Sequence, residues 1–215
     1  MLPCGALLLD LDGTLIDSIE LIVRSFQHAT AVHLGREWAR EEIVPTIGRS
    51  LIDALEEIAP GRGQELLGTY REYNLARHDE YVSVYPGVLT MIAEVRARGV
   101  PMGIVTSKAR VSVAPAFRAF GLDVGMQTVV LLEDTTRHKP HPEPLLLAAE
   151  RMSVDPADCW YLGDSTHDLQ AARAAGMTGI GAAWGPYPRA ALAPLAHAIA
   201  ATPGEVVMLI DTTQD

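Results

Sequence analysis

Ala6-Leu7-Leu8-Leu9-Asp10-Leu11-Asp12-Gly13-Thr14-Leu15 is an apolar run that stops abruptly on two carboxylates. A short apolar run ending in a turn reads as a strand buried on both faces. Carboxylates are seldom buried without a partner, so a pair at the end of a core strand calls for a cation or for acid/base chemistry. Residues two apart in extended chain share a side, which groups the Asp10 and Asp12 side chains at the strand's end.

Further strand-like segments follow at Met102–Val105, Val129–Leu131, Trp160–Leu162 and Gly179–Ala182, with helix-like segments between the later ones. This alternation predicts an α/β fold, a Rossmann-like parallel sheet with helices on both faces. Helix stops are expected at Gly99, Gly121 and Gly176. The interval between the first two strands is far longer than one crossover helix, and most of it reads helical. Asp17 is expected to cap a helix reaching about Val32, Ser50 with Asp53 marks another start, and Glu65–Tyr81 a longer helix. Residues 17–83 are therefore expected to be an inserted helical domain, and residues 1–16 and 84–215 the core domain.

The chain has 215 residues, 48% of them hydrophobic, enough for a sizeable core. Its net charge of −10 argues against a general nucleic-acid binder and leaves room for a local basic pocket for a small anion. No apolar stretch approaches the roughly 20 residues of a membrane span, and no signal-peptide pattern precedes Asp10, so a cytoplasmic protein without membrane partners is expected. Cys4 and Cys159 lack metal-ligand spacing and are expected to be free thiols. Only two lysines occur, Lys108 and Lys139, against fifteen arginines, and both sit beside motif-like residues.

Sheets of this type carry their sites beyond the carboxyl ends of the strands. Polar residues fall there one strand after another: Asp10 and Asp12, then Thr106-Ser107-Lys108, then His138-Lys139-Pro140, then Gly163-Asp164-Ser165-Thr166-His167-Asp168. Carboxylates can approach a phosphoryl group only where cations offset the repulsion. Asp10, Asp164 and the Asp12 carbonyl suit the hard oxygen coordination of Mg²⁺, and Lys139 adds a second positive charge. The Thr106 hydroxyl and the Ser107 amide are candidate donors to phosphate oxygens. One aspartate would attack phosphorus while the other carries a proton to the leaving group.

These residues resemble the four motifs of the haloacid dehalogenase superfamily, in order: Asp10-Leu-Asp12-Gly13-Thr14, Thr106, Lys139-Pro, and Gly163-Asp164-Ser-Thr-His-Asp168. The resemblance implies a phosphohydrolase of small phosphorylated substrates, with Asp10 as nucleophile and Asp12 as acid/base. It also implies Asp10, Asp12, Asp164 and Asp168 around Mg²⁺, Gly13, Thr14 and Ser107 at the substrate, and residues 17–83 as a type-1 cap. The phosphonate-cleaving branch uses a cap lysine, and residues 17–83 contain none; the dehalogenating branch lacks the second aspartate. Segments such as Ser25-Phe-Gln-His28, Tyr70-Arg71-Glu-Tyr-Asn74 and Gly103-Ile-Val-Thr-Ser-Lys108 resemble the bacterial inorganic pyrophosphatases. Asp17 and Arg49 are instead similar to phosphoglycolate phosphatases, and Arg49, in a loop, is a candidate forked contact to a substrate anion.

Two readings of other classes stand beside this one. A receiver-type signalling module also gathers acidic residues, a hydroxyl and a lysine around Mg²⁺, but places its acceptor after a middle strand of a much shorter chain. The other is a non-catalytic binding protein on the same fold.

Overall fold

A computed structural model describes residues 4–211. The strands are β1 (Ala6–Leu9), β2 (Ile16–Asp17), β3 (Ser83–Val84), β4 (Met102–Val105), β5 (Thr128–Val130), β6 (Cys159–Gly163), β7 (Thr178–Ala182) and β8 (Ala198–Ala200). The helices are α1 (Ile19–Leu34), α2 (Arg40–Ile43), α3 (Leu51–Ile58), α4 (Gly63–Tyr81), α5 (Val88–Ala97), α6 (Arg110–Phe120), α7 (Glu143–Met152), α8 (Thr166–Ala174), α9 (Arg189–Leu192) and α10 (Pro203–Asp211).

Six strands form one parallel sheet in the order β5-β4-β1-β6-β7-β8, so the opening strand lies inside it. From β1 the chain builds outward through β4 and β5, then returns to start the other half at β6. The switch point of the sheet therefore lies between β1 and β6, where α/β sheets open a crevice at their carboxyl ends. Asp10 donates its amide to the Leu162 carbonyl at 2.9 Å, which holds that crevice together at its base.

Strand alternation sorts the core into two layers. Leu7, Leu9, Trp160 and Leu162 face α5, α6 and α10, while Ala6, Leu8, Cys159 and Tyr161 face α7 and α8. The expected helix-stopping glycines, Gly99, Gly121 and Gly176, all take positive φ. Cys4 and Cys159 are free. No helix among the described residues is long and apolar enough to cross a membrane.

The helices between β2 and β3 have their own core, built from Ile22, Phe26, Leu55, Leu66 and Tyr70 among others. Phe26 meets Tyr70 edge to face, with ring centroids 5.2 Å apart. The insert joins the sheet through a two-rung antiparallel stem, Ile16↔Val84 and Asp17↔Ser83. That stem corrects one expectation: Asp17 is an exposed strand residue, and Ser18 occupies the N-cap position of α1. The third sheet strand runs over Thr128–Val130, one residue earlier than its sequence suggests. β8 and α10 escape sequence reading because Ala198–Ala200 is too short to show a period.

Close packing of the sheet makes a stability prediction. A Cβ on Gly103, in β4, would stand 2.8 Å from Thr128 Cγ2 and 3.0 Å from Leu8 Cδ2, whereas Gly68, exposed on α4, has nothing within 4 Å. In chemical denaturation, Gly103→Ala is expected to lose about 1–3 kcal/mol through overpacking. Gly68→Ala is expected to gain about 0.5–1 kcal/mol from helix propensity.

Candidate active site

Three acidic residues meet at the switch point. One oxygen each of Asp10, Asp164 and Asp168 lies within 4.8 Å of the others, and all three residues are buried. The Lys139 ammonium sits among them and uses its three protons on Asp10 Oδ1 at 2.7 Å, Asp168 Oδ1 at 2.7 Å and the Tyr161 hydroxyl at 2.9 Å. Tyr161 passes its own proton to the Val105 carbonyl at 2.9 Å. The other oxygen of Asp168 accepts from the Ser165 amide at 3.0 Å and its hydroxyl at 2.6 Å, in a capping box that starts α8.

Burial alone would lower the Lys139 pKa, but Asp10 and Asp168 outweigh it and leave the ammonium above the ordinary lysine range. Burial pushes the Asp10 carboxyl up to about 7, with Lys139 opposing and Asp168 and Asp12 reinforcing. Asp164 is held well above its ordinary range, first by burial and then by repulsion from Asp168 and Asp10. Three buried carboxylates thus face one ammonium.

Asp164 is where that imbalance is sharpest. The Thr14 hydroxyl donates to Asp164 Oδ1 at 2.8 Å, whereas Oδ2 is sealed from solvent and has no donor among the described residues. A buried carboxylate oxygen without a donor fits a cation ligand. Gly13 permits the arrangement: its φ is +85°, and a Cβ there would lie 2.5 Å from Asp164 Oδ2. Gly13 and Thr14, expected at the substrate, are placed against Asp164, and the Thr14 carbonyl accepts from Trp184 Nε1 at 2.9 Å.

Asp12 belongs to a second pair. Its Oδ1 accepts from Lys108 Nζ at 2.6 Å and from the Ser18 hydroxyl at 2.5 Å. The two aspartates of the opening motif therefore each hold one of the chain's two lysines. Lys108 stands out in the sequence by its rarity and its place after a strand, but its partnership with Asp12 spans 96 positions.

Asp10, Asp12, Thr106, Ser107 and Lys108 line a cavity of about 350 Å³ whose opposite wall comes from the insert, including Phe26, Ile47, Arg49, Tyr70 and Arg71. Thr106 Oγ1 accepts the Lys108 amide at 3.2 Å, which leaves its own proton to donate elsewhere. The Ser107 hydroxyl reaches across to the Gly48 carbonyl at 2.8 Å, and the Tyr187 hydroxyl donates to the Pro45 carbonyl at 2.9 Å. These contacts seat the Pro45–Arg49 loop over the core. Arg49 lines the cavity and pairs with Glu57 at 2.9 Å on the insert's surface.

This site and fold define a hydrolase class. Residues 7–182 match the haloacid dehalogenase-like hydrolase family, and the chain belongs to it. It is 38% identical over 180 residues to pyrophosphatase PpaX of Bacillus pumilus, covering 84% of this chain and 83% of that one. It is 37% identical over 179 residues to pyrophosphatase PpaX of Bacillus velezensis, covering 83% of each. Among solved structures, a hydrolase from Pseudomonas syringae superimposes with a TM-score of 0.88 at 22% identity, over 97% of this chain and 98% of that one. CbbY from Rhodobacter sphaeroides, solved with xylulose-1,5-bisphosphate, gives 0.82 at 25% identity over 95% and 96%.

The orphan oxygen makes a thermal prediction. Because folding raises the Asp164 pKa above 3.8, its contribution to stability is present at acid pH and lost as pH rises through the folded value. At neutral pH without metal, Asp164→Asn removes an acidic group whose charged form burial disfavours, and it keeps the Thr14 contact. Its melting temperature is expected to exceed that of the parent by about 2–4 °C. Added Mg²⁺ should raise the parent's melting temperature and leave the variant's unchanged; a variant that still gains from Mg²⁺ would remove Asp164 from the metal site.

Proposed function

We propose that the protein is a cytoplasmic, Mg²⁺-dependent phosphohydrolase that cleaves inorganic pyrophosphate, or a phosphate ester of similar size, through a phosphorylated Asp10. The observation that carries this reading is the buried Lys139–Asp10 pair beside the donor-free oxygen of Asp164, with Asp10 reaching the wall of a small cavity. Pyrophosphate is favoured by the relatives' activity, since both PpaX proteins are pyrophosphatases by name.

Asp10, Asp164 and the Asp12 carbonyl would hold the ion. When bound, Mg²⁺ supplies positive charge that lets an anionic substrate approach an anionic nucleophile.

Lys139 holds Asp10 Oδ1, and no hydrogen bond among the described residues occupies Oδ2, which is the attacking oxygen. As the Oδ2–phosphorus bond forms, the bond from phosphorus to the leaving oxygen breaks. Asp12 delivers a proton to that oxygen, then takes one from the water that cleaves the aspartyl phosphate and releases phosphate. Lys108 and Ser18 both anchor Asp12 Oδ1, which leaves its other oxygen to carry the proton. Thr106 donates its free hydroxyl proton to a phosphoryl oxygen, and Ser107 its amide.

Asp168 supports this centre by locking Lys139 in place; its two oxygens are already taken by Lys139 and Ser165. Residues 17–83 act as the cap that excludes water.

Purified protein is expected to release phosphate from pyrophosphate with Mg²⁺ and to stop when the metal is chelated. Asp10→Asn should reduce turnover by about 10³-fold or more. Turnover that survives this change would overturn the nucleophile assignment, and a stable phosphoprotein without turnover would favour a signalling module. Arg49→Ala, which gives up an exposed pair with Glu57 as well as a cation on the cavity wall, should raise KM for pyrophosphate by about 3- to 10-fold and leave p-nitrophenyl phosphate hydrolysis unchanged.

A further inference from the structure

Three cations stand on the cavity wall, and two of them already have carboxylate partners. Lys108 is paired with Asp12 and Arg49 with Glu57. Arg71, on α4, has no carboxylate partner among the described residues, and its Nε is sealed from solvent without an acceptor. A guanidinium keeps its proton under all ordinary conditions, so it cannot relieve the mismatch by becoming neutral. A donor buried without an acceptor is costly and calls for an explanation, and the guanidinium that carries it stands on the cavity wall with no hydrogen-bond acceptor among the described residues.

Local structure holds Arg71 at this place. Gln64, Leu67, Arg71 and Asn74 follow one another at helical spacing along α4, and all four line the cavity. The stripe is fixed at its far end, where Asn74 Nδ2 donates to the Ser25 hydroxyl at 3.1 Å and Ser25 in turn donates to the Leu21 carbonyl at 2.6 Å. Apolar neighbours such as Phe26 and Leu67 keep the surroundings of low dielectric, which strengthens any charge pairing formed there.

We infer that Arg71 binds a second anionic group of the substrate, the one carried by the leaving group, opposite the phosphoryl group attacked by Asp10. This rests on the hydrolase reading above and adds the charge of the leaving group to it. A phosphate, as in pyrophosphate, and a carboxylate, as in phosphoglycolate, both present two oxygens to a guanidinium fork. The leaving group of phenyl phosphate presents none.

The test compares kcat/KM for pyrophosphate, phosphoglycolate and phenyl phosphate in the parent, Arg71→Gln and Arg71→Lys, with Mg²⁺ present throughout. The parent is expected to prefer at least one of the two substrates with an anionic leaving group over phenyl phosphate. Arg71→Gln should lose about 30- to 100-fold on the preferred substrate, mainly through KM, while phenyl phosphate changes by less than about threefold. Arg71→Lys should recover part of the loss, because it restores the charge and not the fork. Loss on pyrophosphate alone identifies a phosphate as the partner, and loss on phosphoglycolate alone a carboxylate. Equal loss on all three substrates, or on none, overturns the inference.

Should both variants fail to fold, the parent decides. Imidodiphosphate is expected to inhibit phenyl phosphate hydrolysis at a concentration at least about tenfold below that of inorganic phosphate, and equal inhibition overturns the assignment. A parent that hydrolyses none of the three substrates would fail the hydrolase reading and this inference with it. A parent active on phenyl phosphate but with no charge selectivity at Arg71 would fail the inference alone.

Discussion

The Lys139 ammonium is the interaction on which the rest of the site depends. Fully buried, it spends each of its three protons on a named acceptor: Asp10 after β1, Tyr161 in β6 and Asp168 at the start of α8. One side chain thus ties together the two strands that flank the switch point and the helix that follows the second of them. Breaking a buried ion pair by removing one partner typically costs about 3–5 kcal/mol, because the survivor is left charged and unpaired. The same lysine sets the charge balance of the centre. It neutralises part of the acidic cluster and leaves the donor-free oxygen of Asp164 as the point where a cation is needed.

Sheet geometry explains why these groups meet. Tyr161 shares the α7/α8 face with Leu8, and the even-numbered positions of β1 carry that face on toward Asp10. Lys139, arriving in the loop before α7, therefore meets Asp10 and Tyr161 beneath the sheet's carboxyl edge. Asp12 has left the strand by then and turns toward the insert, where Ser18 and Lys108 hold it. Two aspartates separated by one residue are thereby given separate cations and separate environments. Adjacent carboxylates divided in this way are suited to different roles in one reaction.

Much of this was legible from residue order. The apolar runs, the helix-ending glycines and the position of polar residues after each strand anticipated the parallel sheet and the elements that carry the site. Asp10, Thr106 and Asp164 stood out because each is a polar residue at a strand end, and Lys139 because it lies in the Pro-flanked loop that follows the third sheet strand. Other features had no local signal. Tyr161 reads as a core residue, and only its depth beside Lys139 reveals what its hydroxyl does. Asp17 has the chemistry of a helix cap, yet the stem register draws it into β2 and the helix starts after Ser18. Gly13 and Thr14, expected at the substrate, also lie against Asp164, a contact between residues some 150 positions apart that residue order does not reveal.

By itself, the sequence determined the class of fold, the family and the inventory of reactive groups, because periodicity, turn residues and strand-end chemistry are written within a few residues of one another. Tertiary structure alone decided which partner each group takes. Lys108 meets Asp12 across 96 positions, Lys139 meets Asp10 across 129, and Thr14 meets Asp164 across 150. It also decided that Arg71 faces the cavity with a buried donor to spare while Arg49 is paired at the insert's surface. Charge pairing and burial depend on distance in space, and for residues so far apart in the chain only the packed sheet and its insert set that distance.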